Sequence, residues 1–209
     1  MPIMAKSKGD FELAPSGTHR AVCYALYDLG THVETGGKYP GKSARKVRIC
    51  WELTDELMKD GRPFTVGEKY TLSLSDKATL TKVLNSWRGK PFTDEERLGF
   101  DVSKLAGIPC LVTIIHNVSG DSTYANIATV TTLPKVMEKP KQVNPSVVFS
   151  LDNNGPIPPS VPQWIADIIM ESPEWLSRGP GSARPVGSGG DARQPGSDDD
   201  HFDESLAPF

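Results

Sequence analysis

Two groups of residues in this 209-residue chain have types and spacings that could do chemistry. The first is Gly36-Gly37-Lys38-Tyr39-Pro40-Gly41-Lys42-Ser43, which matches the phosphate-binding string GxxxxGK[ST]. That string cradles a nucleotide only between a strand and a helix, where stacked backbone N–H groups and a helix N-terminus face the phosphates. Here the following residues alternate at period two instead. Val47, Ile49, Trp51 and Leu53 fall on one face, Lys46, Arg48, Cys50 and Glu52 on the other. That is a strand. No later strand ends in a carboxylate that could hold Mg²⁺, because Leu111–Ile115 runs into His116-Asn117. The stretch therefore reads as a hairpin loop, with a nucleotide-binding protein as the weaker alternative. His19, His32, His116 and His201 form no metal-ligand spacing, and no Ser/His/Asp or paired-carboxylate set is visible. We expect no enzymatic activity, no metal and no cofactor.

The second group is cations interleaved with aromatics. Sequence-independent binding of a single nucleic-acid strand needs cations that track phosphates and aromatic faces on which any base stacks. The hairpin loop and the strand after it supply Lys38, Tyr39, Lys42, Arg45, Lys46 and Arg48. Lys69 lies on the outward face of a third strand. Arg88, Lys90 and Phe92 share the turn Trp87–Phe92, and Tyr124 begins the last strand. Trp51, Tyr70 and Trp87 are spaced among aliphatics and read as core. The competing reading of these cations is a solvated basic surface.

The elements that must position them follow from periodicity. Strands are expected at 18–29, 45–53, 67–74, 108–116 and 123–131. Leu80, Val83, Leu84 and Trp87 form one helical stripe between the third and fourth. Ser75 or Asp76 is the expected helix cap, Gly89 its stop, and a short helical turn is expected at Asp94–Leu98. Three strands, a helix and two strands is the element order of an OB-fold, a five-stranded Greek-key barrel. The expected class is all-β with one inserted helix. Another small barrel or an α+β domain satisfies the same order.

Charge and composition divide the chain. Residues 1–135 hold 18 Lys+Arg against 15 Asp+Glu, and residues 136–209 hold 5 against 11. The net charge of −3 thus hides a basic part followed by an acidic one. We place a domain at 11–133 and a Pro/Lys-rich connector at 134–160 that contains the apolar Val147-Val148-Phe149. An amphipathic helix at 161–176 is interrupted by Pro173. A flexible Gly/Pro/Ser-rich linker is expected at 177–197 and a disordered acidic protein-interaction tip at 198–209. The helix carries Trp164, Ile165, Ile168 and Ile169, too apolar to leave exposed; it could pack back on the barrel or dock a partner, and a homo-oligomer or partner contact is the expectation. Cys23, Cys50 and Cys110 sit in apolar runs and read as buried thiols of a reducing compartment. With no membrane span and no signal peptide visible, the expected location is cytoplasmic.

The tip reads Asp198-Asp199-Asp200-His201-Phe202-Asp203-Glu204-Ser205-Leu206-Ala207-Pro208-Phe209. It resembles the C-terminal tip of bacterial single-stranded DNA-binding proteins, in which an OB domain and a linker precede an acidic run ending in an apolar residue, Pro and Phe. Asp198, Asp199, Asp200, Asp203 and Glu204 match the acidic run, and Pro208 and Phe209 the end; Leu206 is counted with them as a candidate protein-interaction residue. Ala207 stands where a larger aliphatic residue is usual, and His201-Phe202 splits the acids. Residues 44–53, 69–74 and 87–92 are similar to single-stranded DNA-binding proteins of phages and prophages. The resemblance implies a protein of a bacterial host cell that coats single-stranded DNA in replication, recombination or repair and recruits other proteins through its tip. Strand annealing shares that substrate. A terminal aromatic carboxylate suits an apolar pocket beside a basic group, and flanking acids speed encounter with basic partners. The alternative is an assembly adaptor with an OB-like domain and no nucleic-acid role.

Overall fold

The computed structural model describes residues 12–36, 40–120 and 122–178. Its body is mostly β, with few helices. Strands β1 (Gly17–Val33), β2 (Ser43–Leu57), β3 (Pro63–Thr71), β4 (Pro109–Ser119) and β5 (Ser122–Thr132) form an antiparallel path in the order β3-β2-β1-β4-β5. A short sixth strand, β6 (Val147–Phe149), pairs with β1 in parallel. Helix α1 (Thr79–Arg88) joins β3 to β4, followed by the single turn α2 (Asp94–Arg97). Helices α3 (Gln163–Met170) and α4 (Pro173–Leu176) come last.

β1 is buried on both faces, and two bulges set which of its residues face each side. Tyr24 and Leu29 are extra residues with no partner in the β2 register. A bulge moves the following side chains to the opposite face. Ala21, Cys23 and Leu26 therefore join the inner cluster with Val47, Ile49, Trp51 and Leu53 of β2. Ala25, Tyr27 and Leu29 join a second cluster on the outer face. α1 closes the inner side. Leu80, Leu84 and Trp87 are buried, and the Trp87 indole donates to the Pro109 carbonyl at 3.1 Å. Gly89, in the left-handed region at φ 71°, ends the helix as expected. The expected cap at Ser75 or Asp76 is corrected: the N-cap is Ala78, without a side-chain bond, because Asp76 pairs with Arg97 instead. β3 also differs from the expected 67–74. It begins at Pro63, directly after the Asp60-Gly61 turn, and stops at Thr71, where Ser73 folds back on the Thr71 carbonyl.

The larger difference lies in residues 134–178, which run as a strap along the outer face of β1 and β2. β6 fastens it beside Ala25–Tyr27. Phe149, Leu151, Ile157, Val161, Ile165, Ile169 and Trp175 then pack on Tyr27 and Leu29. The apolar face of α3, expected to seek a partner molecule, is covered by the chain's own sheet. Pro173 does restart the helix, with Ser172 capping α4. No helix among the described residues is long and apolar enough to cross a membrane.

Candidate nucleic-acid interface

The strap decides what the outer face can offer a ligand. Lys46 and Arg48 were expected to point outward on alternate positions of β2. They alternate as expected, but each is only 6% exposed. The Lys46 ammonium is bonded to Glu34 and to the Thr71 hydroxyl. Burial first, and neighbouring Lys69 second, draw its pKa below the ordinary lysine value. The Arg48 guanidinium donates to the Gly67 carbonyl at 2.9 Å and lies 4.7 Å from the Trp164 ring centroid. Trp164 belongs to α3, so the strap itself closes over this cation. The outward-facing reading of both residues is corrected on these grounds.

Arg45 is half-buried and spans two carboxylates. It is bonded to Asp28 on β1 and, at 2.9 Å, to Asp152 on the strap. The Asp28 hydrogen bond, the largest influence, raises its pKa. Arg88 stacks 4.1 Å from the Phe92 centroid and pairs with Glu96. Phe92 is 5% exposed and meets Phe100 edge-on. The expected stacking face of Phe92 is thus taken by Arg88 and Phe100, a second correction. Lys42, Lys69 and Lys90 are exposed, and Tyr124 is half-buried. Tyr124 sits opposite Asn117 in the β4–β5 ladder. Lys38, Tyr39 and the tip residues Asp198, Asp199, Asp200, Asp203, Glu204, Leu206, Pro208 and Phe209 lie outside the described residues.

The structure therefore brings Lys42, Arg45, Lys46 and Lys69 to the end of the sheet that bears the β1–β2 loop. Arg45 accepts the Leu72 amide through its carbonyl, and Lys69 is near enough to oppose the Lys46 charge. Arg88, Lys90 and Phe92 lie apart from that group, after α1.

Sequence reasoning missed the residues that fasten the strap. Glu52 is fully buried and accepts from the Val143 amide at 2.6 Å, the Asn144 amide at 2.8 Å and the Asn144 side chain at 2.6 Å. Asp28 accepts from the Leu151 amide at 3.1 Å. Glu174 accepts from the Thr31 amide and hydroxyl at 2.9 and 2.5 Å. Gly30, at φ 81°, leaves the space in which Ser172 sits. Arg178 reaches back to the carbonyls of Leu151 and Gly155. The one available signal was Glu52 itself, a carboxylate in the middle of an apolar strand. Buried charges are paired or hydrogen-bonded, and its donors are supplied about ninety residues later.

Opening the strap would expose seven large apolar side chains, each contributing about 1.5–3 kcal/mol when buried. One stacked base returns only about 1–3 kcal/mol. The outer face of β1 and β2 is thus closed to a ligand, while β3, the β1–β2 loop and the β4–β5 hairpin stay accessible.

No family model matches the sequence, and no curated protein matches it.

Proposed function

We propose that this chain is a single-stranded DNA-binding protein built on an OB-type barrel. It coats exposed strands without strong sequence preference during DNA replication, recombination or repair in a bacterial host, and recruits partner proteins through its acidic tip. One observation carries the reading. The strand path is β3-β2-β1-β4-β5, its end strands β3 and β5 approach each other without pairing, and α1 stands between the third and fourth strands. An OB barrel is a five-stranded Greek key with ligands on the face of its second and third strands and at the flanking loops. In this chain the accessible part of that region is β3 with Lys69 and the β1–β2 loop with Lys42, joined by Lys38 and Tyr39 in sequence. Tyr124 is the stacking candidate at the β4–β5 hairpin.

The test is a fluorescence titration with labelled oligo-dT and with duplex DNA at two salt concentrations. The reading expects oligo-dT to bind more tightly than duplex and to weaken as salt rises. A chain lacking Leu206–Phe209 should bind DNA at least as well and lose its partner proteins. Equal affinity for duplex, or no binding at low salt, refutes the reading. One observation favours the adaptor alternative: Arg45, Lys46 and Arg88 are already matched by carboxylates. That alternative expects no oligo-dT binding at any salt.

A further inference from the structure

The outer side of the sheet continues past the strap onto β4 and β5. Cys110, Val112 and Ile114 of β4 belong to the inner core, so the alternate residues Thr113, Ile115 and Asn117 face outward. Opposite them on β5 stand Thr129, Asn126 and Tyr124. Ile115, Asn117 and Thr129 are exposed, and Asn126 and Tyr124 are half-buried. This face is almost without charge. In a chain that is 23% charged, residues 109–132 contain one Asp, Asp121, and no Lys, Arg or Glu. What it presents is amides, hydroxyls and one aromatic ring.

The connector that borders this face has the opposite composition. Residues 134–145 hold Lys135, Lys139 and Lys141 against Glu138 alone, and all three lysines are exposed. Both ends of the connector are tied down. The Thr132 hydroxyl donates to the Trp87 carbonyl at 2.7 Å, and the Val143 and Asn144 amides donate to Glu52. Its middle is held by Arg20, which faces outward on β1 opposite Leu111. The Arg20 guanidinium binds Asp55 through two bonds at 2.7 and 2.8 Å and donates to the Glu138 carbonyl at 3.2 Å. A cleft of about 620 Å³ opens there, lined by Arg20, Thr54, Asp55 and residues 138–143. Because Arg20 matches Asp55, Lys139 and Lys141 have Glu138 as the one remaining acid of that lining.

A neutral hydrogen-bonding face with an aromatic ring suits bases, and the cations at its border suit phosphates. A single strand offers both at once, whereas a duplex hides its bases and an acidic peptide has none to stack. We propose that one strand of DNA lies along the outer face of β4 and β5, with a base on Tyr124 and its phosphates on Lys139 and Lys141 at the connector cleft. The six residues from Leu111 to Asn117 set the span at about 20 Å. This rests on the single-stranded DNA reading and adds to it a second contact path, apart from β3 and the β1–β2 loop.

Anisotropy titrations of the full-length protein over a range of salt concentrations test it, with oligo-dT, an abasic strand of the same length and duplex DNA. The double variant Lys139→Ala, Lys141→Ala should keep its Tm and lower the salt slope for oligo-dT by about 1.4, at about 0.7 for each single-strand phosphate met. Tyr124→Ala should weaken oligo-dT by about five- to one-hundred-fold and leave the abasic strand unaffected. Wild-type protein that binds no oligo-dT removes this path together with the reading beneath it. If the wild type binds, three results overturn the path alone: a slope untouched by the lysine substitutions, a slope that falls as much for duplex as for oligo-dT, or a Tyr124→Ala loss as large for the abasic strand as for oligo-dT.

Discussion

Arg48→Ala separates a cation that holds the fold from one proposed to hold DNA. In the structure Arg48 donates to the Gly67 carbonyl, lies over the Trp164 ring and is 6% exposed. A hydrogen bond from a charged donor contributes about 1.5–3 kcal/mol. A largely desolvated cation–π contact contributes on the order of 2 kcal/mol. The two share one side chain and do not add in full, so the expected loss is about 2–4 kcal/mol. For a body of this size each kcal/mol lowers Tm by about 2–4 °C, so the fall should be roughly 5–15 °C. A double-mutant cycle with Trp164→Ala should show a coupling of about 0.5–2 kcal/mol. Affinity for oligo-dT, measured by anisotropy below the lowered Tm, should stay within about twofold with its salt slope unchanged. Lys42→Ala and Lys69→Ala should behave oppositely. Each removes an exposed cation, lowers the slope by about 0.7 if it meets a phosphate, and leaves stability within about 0.5 kcal/mol. The reasoning fails if Arg48→Ala flattens the salt dependence while Tm holds.

Four further outcomes bear on the strap. Glu52→Gln replaces one acceptor oxygen with a donor opposite the Asn144 or Val143 groups; stability should fall by about 2–4 kcal/mol, and the amides of Val143 and Asn144 should exchange faster, whereas unchanged exchange would show that the latch is not where the structure puts it. Gly30→Ala would drive a methyl group into Ser172 at a left-handed φ, so α4 should detach and Trp175 fluorescence shift toward that of a solvated indole; an unshifted spectrum would contradict the packing. A chain ending at Leu133 leaves Tyr27 and Leu29 uncovered and Glu52 without donors, and should bind a hydrophobic dye or precipitate, while a soluble two-state product would show that the strap is dispensable. Burial opposes the Glu174 charge, but the Thr31 hydroxyl and amide outweigh it and hold the carboxyl below its ordinary value of 4.5. Its contribution is therefore full above that value and lost as pH falls through the lower folded value. The protection factor of the Thr31 amide, its exchange rate taken relative to the intrinsic rate at each pH, should fall from pH 5 to pH 3, and a protection factor that instead falls on alkalinisation would reverse the assignment.

Local periodicity made most elements legible. The alternation of Val47, Ile49, Trp51 and Leu53, and the stripe of Leu80, Leu84 and Trp87, encode which side faces the inner core, and both lie buried together. Tyr24 and Leu29 show why boundaries and facing were harder. A bulge changes the parity of a strand without changing its composition. The site was less legible for a related reason. Lys46 and Arg48 have the sequence signature of an exposed face, yet Lys46 is held by Glu34 and Thr71 and Arg48 is covered by Trp164, more than a hundred residues away. Gln142–Asn144 and Trp164 carry no local mark of that role. Arg45, Arg88 and Phe92 were equally ambiguous, because their partners Asp28, Glu96 and Phe100 are assigned by packing rather than by spacing.

β1 is the common member of three of the five strand pairings, and this sets an order of events during synthesis. Its residues leave the ribosome before any of its partners except itself exists. The β2 ladder can form once residue 57 is made, but the β4 ladder needs residue 114. β6 needs residue 149, and the Thr31 contact needs residue 174. Contacts so distant along the chain delay folding, since loop closure precedes any gain from pairing. Until then Tyr27 and Leu29 wait on a strand with one edge open, the condition under which nascent β-proteins associate with the wrong chain. A ribosome stalled before residue 149 should thus hold a protease-sensitive β1 that becomes protected only when α4 has emerged.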